Sequence, residues 1–146
     1  RPRLHVVLVE SGGKKARFLQ RVSDELRLNT RVVAERAETL GRTPDGRERY
    51  DAAVARALAP LPVACEWCLP LVRRGGIFVA MRGASGAVDV EEAQRAIEVL
   101  GGTVVRRLEL VLPDGAGHRV LVVVRKVHPT PPAYPRPGGE ARRRPL

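Results

Sequence analysis

Aromatic side chains are scarce in this sequence, 3% of its 146 residues, with two Phe, two Tyr and one Trp. A core therefore has to be built from Val, Leu, Ala and Ile, which suits packed layers of helix and sheet. Long apolar runs are missing as well. No stretch approaches the roughly 18 residues that a membrane-spanning helix needs, and the opening Arg1-Pro2-Arg3 does not begin a charged, apolar, small-residue leader. The expectation is a cytoplasmic protein with no membrane partner.

Cysteine is nearly absent too. Cys65 and Cys68 are the only two, spaced C-x-x-C, which suits a redox pair or half a zinc site. They sit in a helical apolar pattern around Trp67, and the scattered His5, His118 and His128 supply no second ligand pair. They read as part-buried helix thiols, with no metal expected.

Acids are outnumbered, 16 against 26 cations, for a formal charge of +10. Such a balance points to a polyanionic partner. Of the 26 cations only Lys14, Lys15 and Lys126 are lysine, so 23 are arginine. The guanidinium fork matches phosphate oxygens and a guanine edge, although a GC-rich coding sequence would produce the same bias.

A chain of this length fits a single domain. Leu4 to Val9 reads as a buried strand between Pro2 and Gly12, and Lys14 to Leu28 as a helix with Phe18, Leu19, Val22 and Leu26 on one face. Arg31 to Ala34 and Tyr50 to Ala55 follow as strands, separated by a polar loop that turns at Pro44-Asp45-Gly46. Leu61 to Val72 reads as a helix, Gly76 to Met81 as a strand and Glu91 to Leu100 as a helix closed by Gly101 and Gly102. Thr103 to Leu112 and Arg119 to Val127 form a hairpin around the turn at 113 to 118. This order predicts an α/β domain over 1–127, with a mostly parallel sheet and one antiparallel strand near its edge. Residues 128–146, rich in proline and arginine, read as an extended, partly ordered tail with Tyr134 as its anchor.

In an open α/β sheet, ligands sit at the carboxyl ends of the strands. Glu10 follows the first strand, where a carboxylate can accept the hydroxyls of a ribose or simply face solvent at a helix start. Glu35-Arg36-Ala37-Glu38 follows the second and suits either an adenine edge or a polar helix start. Arg56, flanked by alanines at the end of what reads as a buried strand, should pair with an acid or an anionic ligand. Arg82 with Gly83 ends the fourth strand and Arg119 opens the last, beside His118. Lys14 and Lys15, with Arg136, Arg142, Arg143 and Arg144 of the tail, are further candidate contacts for a polyanion.

Taken in order, L-V-E-S-x-x-K-K-x-x-F-L at 8–19, A-E-R-A-E at 34–38, Y-D-A-A-V-A-R-A-L-A-P-L at 50–61, R-G at 82–83, H-R-V-L-V-V-V-R-K at 118–126 and the Y-P-R-P-G-G-E-A-R-R-R-P-L end resemble the RsmG (GidB) family of small-subunit ribosomal RNA methyltransferases. The resemblance covers nearly the whole chain. It implies a class I, Rossmann-like methyltransferase fold, S-adenosyl-L-methionine as cofactor and N7 of a guanine as the methylated atom. Glu10 would hold the cofactor ribose and Arg36, Ala37 and Glu38 would lie beside its adenine. Arg56, Arg82 and Arg119 would face the RNA or the target base, which needs no general base because N7 loses no proton. The partner would be small-subunit ribosomal RNA or the ribosomal subunit, and the full-length enzyme a monomer.

Two features depart from the family. Arginine stands at position 82, where lysine is usual, and the glycine-rich cofactor loop with its preceding strand does not occur in these 146 residues. That strand lies centrally in the family sheet, between the strands at 4–9 and 50–55, so its loss should leave a gap or force those two together. The partial domain alone is expected to bind cofactor poorly. A nicotinamide-dependent oxidoreductase and a non-catalytic RNA-binding module are the alternatives that the residues themselves leave open.

Overall fold

Short β-branched runs become strands, and most apolar stripes between them become helices packed on those strands, although Phe18 and Leu26 of the first stripe stay exposed. The computed structural model describes residues 4–83, 86–113 and 117–146. The expected boundary at Pro2, and positions 114–116 of the hairpin turn, lie outside the described residues. β1 (Val6–Val9) and β2 (Thr30–Val33) pair in parallel in a two-stranded sheet, from Val6↔Thr30 to Val9↔Val33. Between them runs α1 (Gly13–Glu25), which ends three residues before the expected Leu28.

The larger sheet has the order β3-β4-β6-β5, with β3 at Tyr50–Arg56, β4 at Val72–Arg82, β5 at Gly102–Val111 and β6 at His118–Lys126. β3 and β4 are parallel, while β6 runs antiparallel to both of its neighbours, β4 and β5. The reversed strand is thus one in from the edge. Among the described residues β1 and β3 do not pair, so the strands form two separate sheets rather than being forced together.

α3 (Leu61–Cys68) and α4 (Gly86–Val99) cover one face of the larger sheet. Leu61, Ala64, Cys65 and Leu69 meet Phe78, Val122, Val124 and Ile97 in one buried cluster. Burying such side chains is worth about 1.5–3 kcal/mol each for the larger ones, which makes this cluster the main source of stability. The other face is less covered, with Val54 62% and Met81 39% exposed. Both cysteines are buried and free rather than part-buried. Burial pushes the Cys68 thiol up to about 12 and, together with the Cys68 charge, raises Cys65 as well.

α3 stops earlier than its apolar run. Leu69–Leu71 forms a 3-10 turn and Val72 already belongs to β4, because Pro70 has no N–H to continue an α-helical ladder. Two residues after the last residue of α4, Gly101 has a φ of +81° and approaches the His128 carbonyl closely, and both require the missing side chain. The Gly101 carbonyl then accepts the N–H groups of Val127 and His128.

Residues 128–146, expected to be extended and only partly ordered, are instead folded onto the domain at several points. Arg47 donates to the carbonyls of Thr130 and Tyr134, both at 2.7 Å, and Arg42 to that of Pro135 at 2.6 Å. Glu48 accepts the Thr130 N–H at 2.7 Å and lies 3.2 Å from the buried Lys126 ammonium, which also donates to the Leu69 carbonyl at 2.7 Å. Arg136 closes on Glu66 of α3, a carboxylate only 1% exposed, and a last short helix, α5 (Glu140–Arg143), buries Ala141 against Val63 and Trp67. These partners are 57 to 93 residues apart in sequence, so no local pattern announces them.

Candidate functional site

The carboxyl ends of β1, β2 and β3 converge on a cleft of about 500 Å³, lined by Val9, Glu10, Ser11 and Glu35–Glu38 together with Leu58, Trp67 and Arg142. That volume lies within the range of small-molecule sites.

At β1 the Glu10 N–H donates to the Val33 carbonyl, extending the ladder by one residue and fixing where its side chain starts. The carboxylate turns back so that Oε1 accepts the Gly12 N–H at 2.7 Å. A Cβ on Gly12 would sit 3.2 Å from that oxygen, so the glycine makes room for the bond. The other oxygen has no hydrogen-bond partner among the described residues and can accept from a ligand hydroxyl.

At β2 the chain enters α2 (Ala37–Leu40), with Arg36 as N-cap residue and Glu38 in the first turn. Glu38 has a side chain only 6% exposed, and its bond from Arg36 is long, 3.5 Å from a mostly exposed guanidinium. A helix N-terminus eases its charge. Even so, a buried carboxylate with one weak partner is chemically ready for a donor such as an exocyclic amine.

At β3, Ala57 has φ +49°, a conformation costly for a residue with a Cβ, and the turn it makes brings Leu58 to the cleft. Arg82 at the end of β4 bonds Asp89 of α4 and the Ala59 carbonyl, each at 2.7 Å. It ties three segments together beside the cleft. Arg56 is exposed because β3 is an edge strand in this structure rather than a buried one, and it makes no ion pair among the described residues.

The structure thus brings Glu10, Arg36, Ala37 and Glu38 to one cleft and adds Leu58, Trp67 and Arg142. It leaves Lys14 and Lys15 exposed at the start of α1. Arg119 is half-buried and donates to the His118 carbonyl, and Arg143, although exposed, donates to the Gly138 carbonyl. Arg144 is exposed as well. Arg136 binds inward: its backbone N–H, Nε and Nη2 all reach the Glu66 carboxylate, at 2.5 to 3.1 Å. Those hydrogen bonds, against the cost of burial, hold it above the ordinary guanidinium range. Trp67 escaped sequence reasoning because it reads as one more apolar residue of α3. The available signal was its place one turn after Val63, on the face that Ala141 covers.

Comparison with known proteins gives a consistent result. The family model described as rRNA small subunit methyltransferase G matches residues 1–114. A ribosomal RNA small subunit methyltransferase G of Symbiobacterium thermophilum is 46% identical over 152 residues, covering 100% of this chain and 62% of that protein. The one from Lactobacillus acidophilus is 40% identical over 146 residues, covering 99% and 61%. The chain spans about three-fifths of the length of these curated relatives. Among solved structures, a SAM-dependent O-methyltransferase of Thermotoga maritima aligns with TM-score 0.58 at 15% identity, over 87% of this chain and 51% of that one. Geranyl diphosphate C-methyltransferase of Streptomyces coelicolor A3(2) aligns with TM-score 0.57 at 15% identity, over 84% and 64%. The fold is that of class I methyltransferases.

Proposed function

The chain belongs to the rRNA small subunit methyltransferase G family, and we propose that it forms the larger part of an enzyme that methylates N7 of a guanine in small-subunit ribosomal RNA. The observation that carries this reading is the cleft, where a free Glu10 oxygen and the under-partnered Glu38 stand at the ends of neighbouring parallel strands. Glu10 would accept the hydroxyls of a ribose and Glu38, beside Arg36 and Ala37, the donor edge of an adenine. These groups fit S-adenosyl-L-methionine, which when bound supplies a methyl group activated by a sulfonium. A strand followed by a glycine-rich turn, contributed by the whole protein, would complete the site between β1 and β3.

The guanine N7 lone pair lies in the plane of the ring. That lone pair would have to be held in line with the methyl group the bound cofactor supplies. No proton leaves, so no side chain has to act as a base. What this chain contributes is position, an effect that can supply about 7–11 kcal/mol when the reacting atoms are held in line. Arg56 and Arg119 would orient the target base or its phosphates, a guanidinium donating to O6 while leaving N7 open. Arg82 would act through the β3 and β4 ends it ties together. Lys14, Lys15, Arg143 and Arg144 would meet the RNA backbone, and a paired target base would have to be extruded. The partner would be the ribosomal RNA or the subunit, met in the cytoplasm by a monomer.

The experiment is methyl transfer from labelled S-adenosyl-L-methionine to small-subunit RNA and to subunits, using the protein expressed from its complete coding sequence. Label at a single guanine N7, lost with Glu10→Ala, is the expected result. Label elsewhere, or transfer indifferent to Glu10→Ala, would overturn the reading.

A further inference from the structure

The cleft has a wall made by residues distant in sequence from the strand ends. Trp67 of α3 and Arg142 of α5 both line it. Trp67 is 7% exposed, and its indole N–H is buried with no hydrogen-bond acceptor among the described residues. The Arg142 guanidinium carbon lies 5.1 Å from the centre of the Trp67 ring, and Nη2 is 3.4 Å from the Leu58 carbonyl. Beneath them Ala141, Val63 and Trp67 form a small buried cluster against Ala37 and Ala59, the residues that begin α2 and follow β3. The tail is therefore packed against two loops that shape the cleft.

We infer that the C-terminal segment is part of the cofactor site, with Arg142 and Trp67 holding the purine end of the bound nucleoside. The inference rests on the reading of the cleft given above. A guanidinium set over an indole can stack on a further π face, as arginine does on aromatic rings. The Trp67 ring beneath holds that guanidinium in place at the cleft wall, 5.1 Å from its centre. Leu58 adds an apolar surface beside them. This assigns Arg142 to the cofactor rather than to the RNA.

Trp67 is the only tryptophan, so its fluorescence reports this wall alone. The test uses protein from the complete coding sequence, titrated with S-adenosylhomocysteine and followed by that fluorescence and by calorimetry. Binding should change the Trp67 emission. Arg142→Ala should weaken S-adenosylhomocysteine about tenfold and alter the emission change, with Arg142→Lys between the two and RNA affinity within about twofold of the parent. Arg21→Ala, which removes an exposed cation on α1, controls for net charge, and the melting temperature of each variant controls for folding. Unchanged cofactor affinity in Arg142→Ala overturns the inference, and so does a loss confined to RNA affinity. A parent that binds no S-adenosylhomocysteine refutes the cleft reading itself, and this inference with it.

Discussion

Arg136→Ala should be the most informative stability variant. Glu66 is a carboxylate 1% exposed in the middle of α3, and Arg136 reaches it through Nε, Nη2 and its own backbone N–H. Removing one member of a buried pair typically costs about 3–5 kcal/mol, mostly because the other is left charged and dry. Here the backbone N–H survives the substitution and the Arg136 side chain is 17% exposed, so water can enter the space it leaves. The lower end, about 3 kcal/mol, is expected. Equilibrium urea unfolding should show it as a lowered midpoint at unchanged slope. Arg136→Lys, which keeps the charge but loses the fork, should fall between. The double variant Glu66→Gln with Arg136→Met removes both charges and should recover most of the loss. A cost below about 1 kcal/mol for Arg136→Ala, or a double variant as costly as the two singles added, refutes the argument.

Gly101→Ala should cost about 3 kcal/mol, since its Cβ would lie 2.2 Å from the His128 oxygen at a φ of +81°; a loss under 1 kcal/mol by the same unfolding assay contradicts this. Burial lowers the Lys126 pKa, opposed by Glu48, so between that lowered value and the ordinary amine range the unfolded state binds more protons and stability rises with pH. The midpoint of the parent relative to Lys126→Met should therefore increase as pH rises towards the ordinary amine range, and a flat difference rejects it. The raised Cys65 and Cys68 thiols have the opposite sign, because above the ordinary thiol range only the unfolded chain ionises and stability falls as pH climbs towards about 12 for Cys68. A thiol-specific reagent should accordingly label neither cysteine before unfolding, and Cys65→Ala with Cys68→Ala should blunt the alkaline loss.

Much of the frame was legible because it is local. The runs at Val6–Val9 and Tyr50–Arg56 are strands, and the resemblance located Glu10 and Arg36–Glu38 at a cleft that the structure contains. Other parts were not. The first half of β4, Arg73-Arg74-Gly75-Gly76, has neither alternation nor β-branched residues; it is a strand because Val72 pairs with Tyr50 across an irregular register. Arg56 needs a buried partner only if β3 is covered on both sides, and β3 is an edge strand. A tail of prolines and arginines cannot build a core of its own and so reads as facing outward, yet Glu66, Arg47 and Glu48 hold it from far away in sequence. Long-range polar contacts of this kind leave no periodicity to detect.

The clasp between Glu66 and Arg136 also sets an order of events during synthesis. α3 is translated 70 residues before its counter-ion, so a growing chain that has finished the helix still has a carboxylate at its centre with no cation to meet it. Packing α3 tightly against the sheet is favourable only after Arg136 has emerged. A premature stop between the end of β6 and Arg136 should thus yield a chain with every described strand present but Glu66 unpaired in the core, exposed to proteases, so that the segment carrying Arg136 settles the core only after the sheet is complete.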